Sequence, residues 1–164
     1  MARASYAIAI GSNRPGRHGS PEREVLAAVE ALEGVVAVAP LMRSAPLGPS
    51  LRRYANTVAL VESPRSPPEM LAHCKAIERA FGRRRGRRWG TRVLDLDLVL
   101  WSEGPWAGPG LVVPHPAFRG RDFVLTPLAQ LVPEWRDPVS GLSIRQLARR
   151  LRRARAVDHA APAS

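Results

Sequence analysis

Arg79-Ala80-Phe81-Gly82-Arg83-Arg84-Arg85-Gly86-Arg87-Arg88-Trp89-Gly90-Thr91-Arg92 runs without an acidic residue into Val93-Leu94-Asp95-Leu96-Asp97-Leu98-Val99-Leu100. The second half reads as a strand, in which alternate side chains share a face. Asp95 and Asp97 therefore point one way, and Leu94, Leu96 and Leu98 the other. Two neighbouring carboxylates repel and raise one another's pKa unless a cation sits between them. Mg²⁺, a hard ion that seeks oxygen and normally arrives with substrate phosphates, resolves that repulsion. The arginines beside it suit the phosphate oxygens the metal leaves uncovered. This stretch predicts a magnesium-dependent enzyme acting on a nucleoside polyphosphate.

Working outward, Tyr6 to Ile10 is a short apolar strand that runs into a polar turn at Gly11-Ser12-Asn13. Ser20-Pro21 opens a helix, serine as N-cap and proline at the first position. Val25, Leu26, Val29 and Leu32 supply its apolar stripe, and Gly34 ends it. Val35 to Ala39, resuming through Met42, and Tyr54 to Val61 read as strands, with a stiff loop over 44–49 between them. Ser66-Pro67-Pro68-Glu69 is a capping-box start for a helix that buries Met70, Leu71, Cys74, Ile77 and Phe81. Leu94 to Trp101 is the fourth strand. The order β-α-β-β-α-β predicts an α+β, ferredoxin-like antiparallel sheet with two helices on one face. An extended stretch at Leu111 to Pro116, a helix from Phe123 to Leu131 and a basic helix from Ser143 to Arg153 form a C-terminal helical extension. The tail 160–164 is expected to fray.

At 164 residues the chain is expected to be one domain, 1–164, with room for a real core. No apolar run approaches the ~20 residues that span a bilayer, and the N-terminus lacks a signal-peptide pattern. The single Cys74 excludes an intrachain disulfide and a cysteine-based zinc site. A cytoplasmic protein is expected. The formal net charge of +11 pulls toward polyanions. Lys75 is the only lysine, so the arginine richness also fits a biased genomic base composition.

The stretch Arg88-Trp89-Gly90-Thr91-Arg92-Val93-Leu94-Asp95-Leu96-Asp97 resembles the R-W-G-P-R-x-L-D-L-D block of the 6-hydroxymethyl-7,8-dihydropterin pyrophosphokinases of folate biosynthesis. Further blocks follow in family order over roughly residues 5 to 150. They are Ile10-Gly11-Ser12-Asn13, Ala45-Pro46-Leu47-Gly48-Pro49, Tyr54-Ala55-Asn56, Ile77-Glu78 with Gly82-Arg83, Val113-Pro114-His115, and Arg121-Asp122-Phe123-Val124-Leu125-Thr126-Pro127-Leu128. The resemblance implies transfer of a pyrophosphoryl group from ATP to the hydroxymethyl oxygen of the dihydropterin, with release of AMP. By similarity, Asp95 and Asp97 bind two Mg²⁺ ions, and Asp97 relays the hydroxyl proton. Arg83 and Arg92 grip the phosphates, and Trp89 helps close the site. Lys75, Glu78, His115 and Arg121 face the nucleotide. Tyr54 and Phe123 stack on the pterin, while Ser44, the Leu47 backbone and Asn56 meet its hydrogen-bonding edge. Three departures stand out: Thr91 replaces the usual proline, Pro116 stands where some relatives carry an aromatic, and the loop from Arg83 through Arg88 is denser in arginine than the family pattern.

The partners expected are these two small molecules, with no nucleic acid and no membrane, for a chain acting as a monomer. An RNA-recognition module shares the element order and the charge. Its first strand would display base-stacking aromatics, whereas Tyr6-Ala7-Ile8-Ala9-Ile10 does not, and the anion-facing strand carries Asp95 and Asp97. A catalytically dead scaffold is disfavoured because both aspartates, Arg83, Arg92 and Asn56 are all present.

Overall fold

The computed structural model describes residues 3–44, 54–82 and 93–160. Its first strand, β1 (Ala4–Ser12), continues two residues past Ile10 into the expected polar turn, so Gly11 and Ser12 belong to the sheet. Helix α1 (Pro21–Ala31) starts as its sequence dictates: the Ser20 hydroxyl accepts the Arg23 N–H and Pro21 occupies the first turn. Val25, Ala28 and Leu32 face the core at i, i+3 and i+7, which turns Leu26 outward to 50% exposure and removes it from the expected stripe. Gly34 makes the next turn at φ +82°, where a Cβ would run into the Glu62 carbonyl. Strands β2 (Val35–Val38) and β3 (Met42–Ser44) follow as two halves of one interrupted edge. Both pair with β4 (Tyr54–Ser63), and across the break Ala39 donates to Val58 O while its carbonyl accepts from Thr57 Oγ1.

Helix α2 (Pro67–Gly82) opens on the expected capping box: Ser66 N–H donates to Glu69 Oε1 at 3.0 Å, and Glu69 N–H to Ser66 Oγ at 3.4 Å. Met70, Cys74 and Ile77 are buried. Burial pushes the Cys74 thiol up to about 12, so it is a packing group rather than a nucleophile. Strand β5 (Asp95–Trp101) completes an antiparallel sheet in the order β2-β4-β1-β5. The element order, the antiparallel pairing and the placement of α1 and α2 on one face are those of the ferredoxin-like fold.

The sheet has a second covered face. Tyr6, Ile8, Ile10, Leu94, Leu96 and Leu98 pack with α1 and α2. Ala7, Val58, Val99 and Leu100 pack with α3 (Asp122–Leu131) and α4 (Ile144–Ala160), so the C-terminal extension forms a third layer. A β-bulge makes this possible. Leu98 and Leu100 pair with the consecutive Ile8 and Ala7, which leaves Val99 as the extra residue and puts Val99 and Leu100 in the same cluster. The stretch read as merely extended is half of a hairpin, β6 (Trp106–Gly108) with β7 (Leu111–Val113). None of the helices among the described residues is long and apolar enough to cross a membrane.

One ion pair anchors the third layer. Arg119, in the 3₁₀ turn Phe118–Gly120, donates from Nε to Asp137 Oδ2 at 2.6 Å and from a terminal nitrogen to Oδ1 at 2.7 Å. Asp137 is fully buried and also accepts from Ser140 Oγ and Val139 N–H. These bonds, Arg119's first, hold its carboxyl well below the usual carboxylate range. A depressed folded-state pKa stabilises above the unfolded value of about 3.9 and loses that contribution as pH falls below it. Asp137→Ala should therefore cost roughly 2–4 kcal/mol at pH 7, near the range for breaking a buried pair. Urea unfolding should show that gap closing as pH is lowered toward 3; equal stability of the two proteins at neutral pH would rule the anchor out.

Candidate active site

The site begins with strand register. Gly11 of β1 lies opposite Asn56 of β4 on one side and Asp95 of β5 on the other. Cross-strand partners project to the same face, so Asn56, Gly11 and Asp95 form one row across the sheet. Tyr54 and Asp97, two residues from Asn56 and Asp95 along their strands, share that face. This is the face α3 and α4 cover elsewhere, and beyond the N-terminus of α3 it opens into a cavity of about 210 Å³. Tyr54, Asn56, Asp95, Asp97, Arg121 and Phe123 all line it, with Ala9 and Gly11 beneath. The volume lies below the ~300–1,000 Å³ of ordinary ligand pockets and suits one small flat molecule.

The absence of a side chain at Gly11 is part of this geometry. A Cβ there would stand 2.9 Å from Asn56 Oδ1 and intrude between the amide and the carboxylates. Asn56 is buried, so its amide is held rather than solvated. Tyr54 and Phe123 are half-buried and line the cavity. Arg121 precedes Phe123 at the start of α3, and its guanidinium carbon lies 5.7 Å from the centre of the Phe123 ring.

Asp95 is exposed and the Asp97 side chain is 44% exposed, whereas Leu94, Leu96 and Leu98 are buried. Their alternation follows the sequence pattern. His115 comes to the same place from the segment after β7: its Nε2 stands 4.0 Å from Asp97 Oδ1. Its Nδ1 accepts the Ala117 N–H at 3.1 Å, which assigns the proton of the neutral ring to Nε2, on the side of Asp97. Burial first, and Arg121 with it, lower the His115 pKa; Asp97 opposes them. Among the described residues no group of three or more His, Cys, Asp or Glu converges into a closed cage. Two accessible carboxylates fit Mg²⁺, which is held by one or two carboxylates and keeps water and phosphate oxygens as its other ligands.

The remaining expected site residues divide into two sets. Lys75 and Glu78 lie on α2, outside the cavity lining. Glu78 is 9% exposed and accepts the Leu96 N–H at 2.9 Å, so one of its oxygens is turned to β5 rather than to a ligand. Lys75 Nζ is 3.6 Å from Glu78 Oε1. The Ser44 backbone pairs with Tyr54. The Ser44 side chain, Leu47, Arg83, Trp89 and Arg92 lie outside the described residues. Sequence reading alone gave Gly11 no place in the site. Its signal was the Gly that follows an apolar strand, but the register against β4 and β5 was needed to read it.

Comparison with known proteins points to one family. A family model described as 7,8-dihydro-6-hydroxymethylpterin-pyrophosphokinase matches residues 7–133. The 2-amino-4-hydroxy-6-hydroxymethyldihydropteridine pyrophosphokinase of Pseudomonas aeruginosa is 42% identical over 137 residues, covering 80% of this chain and 82% of that one. The protein of the same name from Synechocystis sp. is 44% identical over 105 residues, 64% of this chain and 54% of that one. The match thus spans about half of the Synechocystis protein and most of the Pseudomonas one. A crystal structure of a single-substitution variant of Plasmodium falciparum HPPK-DHPS with SDX-DHP superposes with a TM-score of 0.77 at 12% identity, covering 97% of this chain and 47% of that one. That likeness shows the shared fold.

The His115 geometry makes a direct prediction. In the ligand-free protein, ¹⁵N NMR at pH 7 should show the His115 ring neutral with its proton on Nε2. Its protonation midpoint should fall below the ~6.5 of a free imidazole. Because the folded state resists protonating this ring, His115 should subtract stability as pH falls below that unfolded value. A proton on Nδ1 at pH 7, or a midpoint above 6.5, would overturn this arrangement.

Proposed function

The chain belongs to the 7,8-dihydro-6-hydroxymethylpterin-pyrophosphokinase family, and we propose that it catalyses the step of folate biosynthesis that this name describes. The pyrophosphoryl group of ATP passes to the hydroxymethyl oxygen of 6-hydroxymethyl-7,8-dihydropterin, and AMP leaves. The single observation that carries this reading is the row Asn56–Gly11–Asp95. It fixes an amide and a carboxylate two strand spacings apart, about 10 Å. A bicyclic heterocycle with a one-carbon arm can bridge that span, its ring edge at the amide and its hydroxyl at the carboxylates.

In this reading Tyr54 and Phe123 hold the faces of the pterin. Asn56, with a donor and an acceptor on one amide, meets its aminopyrimidinone edge, aided by Ser44 and the Leu47 backbone. Asp95 and Asp97 hold Mg²⁺, two ions by family resemblance, and the metal supplies charge neutralisation along the triphosphate. The hydroxymethyl oxygen bonds to the β-phosphorus as the bond from that phosphorus to the α–β bridging oxygen breaks. AMP departs with that oxygen. Asp97 takes the hydroxyl proton and passes it to water. Little covalent work falls to the protein, so placement and charge carry the rate. Neutral His115 offers its Nε2–H to a phosphate oxygen, and Arg121 offers its guanidinium from the start of α3. Arg83, Arg92 and Trp89 enter on the sequence motif, as phosphate grips and a closing aromatic. Lys75 is a candidate contact on the nucleotide side.

An assay of AMP release with hydroxymethyl-dihydropterin, run with and without Mg²⁺, tests the reaction. Asp97→Ala should lower turnover by at least ~10³-fold, since losing charge stabilisation at a transition state costs several kcal/mol. Pterin binding without nucleotide should scarcely change. Retention of a tenth of wild-type turnover at saturating Mg²⁺ would remove Asp97 from its role.

The slot is tested separately by calorimetry. Phe123→Ala should weaken pterin binding by roughly 1–3 kcal/mol, the range for losing an aromatic stacking partner. ATP affinity should move much less. Equal losses for both ligands would mean that Phe123 serves the core and that the slot lies elsewhere.

A further inference from the structure

Among the described residues, strand β5 is an edge of the sheet, paired with β1 on one side. A short edge strand is the least constrained part of a sheet, because one row of its backbone groups has no strand partner. This edge nevertheless carries Asp95 and Asp97, whose carboxylates must keep a fixed separation if they are to hold a cation between them. The residue between them, Leu96, donates its N–H to Glu78 Oε2 at 2.9 Å in a buried bond. Leu96 lies opposite Ile10 of β1, and because its N–H is given to Glu78 it points away from that neighbour and toward α2. Paired residues in an antiparallel ladder alternate between exchanging backbone bonds and not exchanging them. Leu96–Ile10 is then a non-bonded pair, and Gly11–Asp95 and Ala9–Asp97 are the pairs tied to β1. The backbone is held from inside at each aspartate and from outside at the residue between.

We propose that Glu78 is a positioning residue for the metal-binding strand: its hydrogen bond to Leu96 sets the spacing of Asp95 and Asp97. This rests on the reading of those two residues as the magnesium carboxylates. It assigns to Glu78 a bond to the strand in place of the nucleotide contact that resemblance suggested. The required property is acceptance of one N–H, which an amide oxygen can also supply. Lys75, one turn earlier in α2, stands 3.6 Å from the other oxygen.

The test compares Glu78→Gln with Glu78→Ala by amide hydrogen exchange at Leu96 and by titration of the ligand-free protein with Mn²⁺ as probe. Glu78→Ala should speed Leu96 exchange by at least ~10-fold, as expected when a protecting bond is lost. It should weaken Mn²⁺ binding by a similar factor. In the assay it should raise the Mg²⁺ concentration for half-maximal rate while leaving the KM for pterin unchanged. Glu78→Gln should keep Leu96 protection and Mn²⁺ affinity within about threefold of wild type, since its amide oxygen still accepts the bond. Equal damage in the two variants would mean that the charge matters and not the bond, and would overturn the proposal. So would unchanged Leu96 exchange in Glu78→Ala. If wild type released no AMP, the reaction assigned above would fail, while the exchange and Mn²⁺ comparisons would still decide the role of Glu78.

Discussion

Everything in the site depends on how β1 is registered against its two neighbours. Gly11 faces Asn56 across one ladder and Asp95 across the other. A slip of one residue in either ladder would send that strand's side chains to the opposite face. Asn56 would then point into the layer of α1 and α2, or the aspartates would point into it and Leu96 and Leu98 out. The apolar residues prevent this. Ile8, Ile10, Leu96 and Leu98 are nearly inaccessible, and exposing even one costs roughly 1.5–3 kcal/mol. The hydrophobic face thus fixes the polar face, and the chemistry inherits its geometry from the core beneath it.

The bulge at Val99 complements that constraint. With strict alternation along β5, one of Val99 and Leu100 would leave the side on which α3 and α4 pack. The extra residue lets both join Ala7 and Val58 there, while Asp95 and Asp97 keep the same face farther along the strand. One strand therefore serves two surfaces in sequence: it supplies apolar contacts under α3 and α4, and carboxylates beyond them. Leaving that last part of the sheet uncovered forgoes some apolar burial. What it gains is a concave floor with a wall of helix beside it.

Much of this was legible in the chain. The Ser20 cap, the Ser66–Glu69 capping box and the alternation around Asp95 and Asp97 are local chemistry, so the sequence states them directly. Tyr54, Asn56, Asp95, Asp97, Arg121 and Phe123 were identified by family blocks and converge on one cavity. What was not legible is non-local. The role of Gly11 depends on two partners more than forty residues away in the chain, as the pairing with Asn56 and Asp95 shows. Glu78 was expected to face the nucleotide beside Lys75, and only the meeting of α2 with the edge of β5 gives one of its oxygens the Leu96 N–H. Glu24, fully buried, escaped notice for the same reason: its carboxylate accepts the His18 N–H and meets His18 Nδ1, a partner in the preceding loop. Leu26 was misread because adjacent helical residues point about 100° apart, so the buried neighbour of Val25 is Ala28, three residues on, rather than Leu26.

Charge is distributed to match. A formal net charge of +11 would repel itself if it were concentrated on one surface, and pairing relieves part of that strain. Arg119 is neutralised by Asp137, and Arg155 meets Asp122 at 2.9 Å at the entry to α3. That second pair has a consequence at the site. Asp122 lies between Arg121 and Phe123, two cavity-lining residues, and engaging its carboxylate with α4 turns it toward the helical layer. Arg121 lines the cavity with Asp95 and Asp97, and its charge is felt at His115. The site thus brings cationic and anionic groups to one cavity. In the function proposed above, a polyphosphate carried with a divalent cation would meet both signs at once, its oxygens at the guanidinium and its metal at the carboxylates.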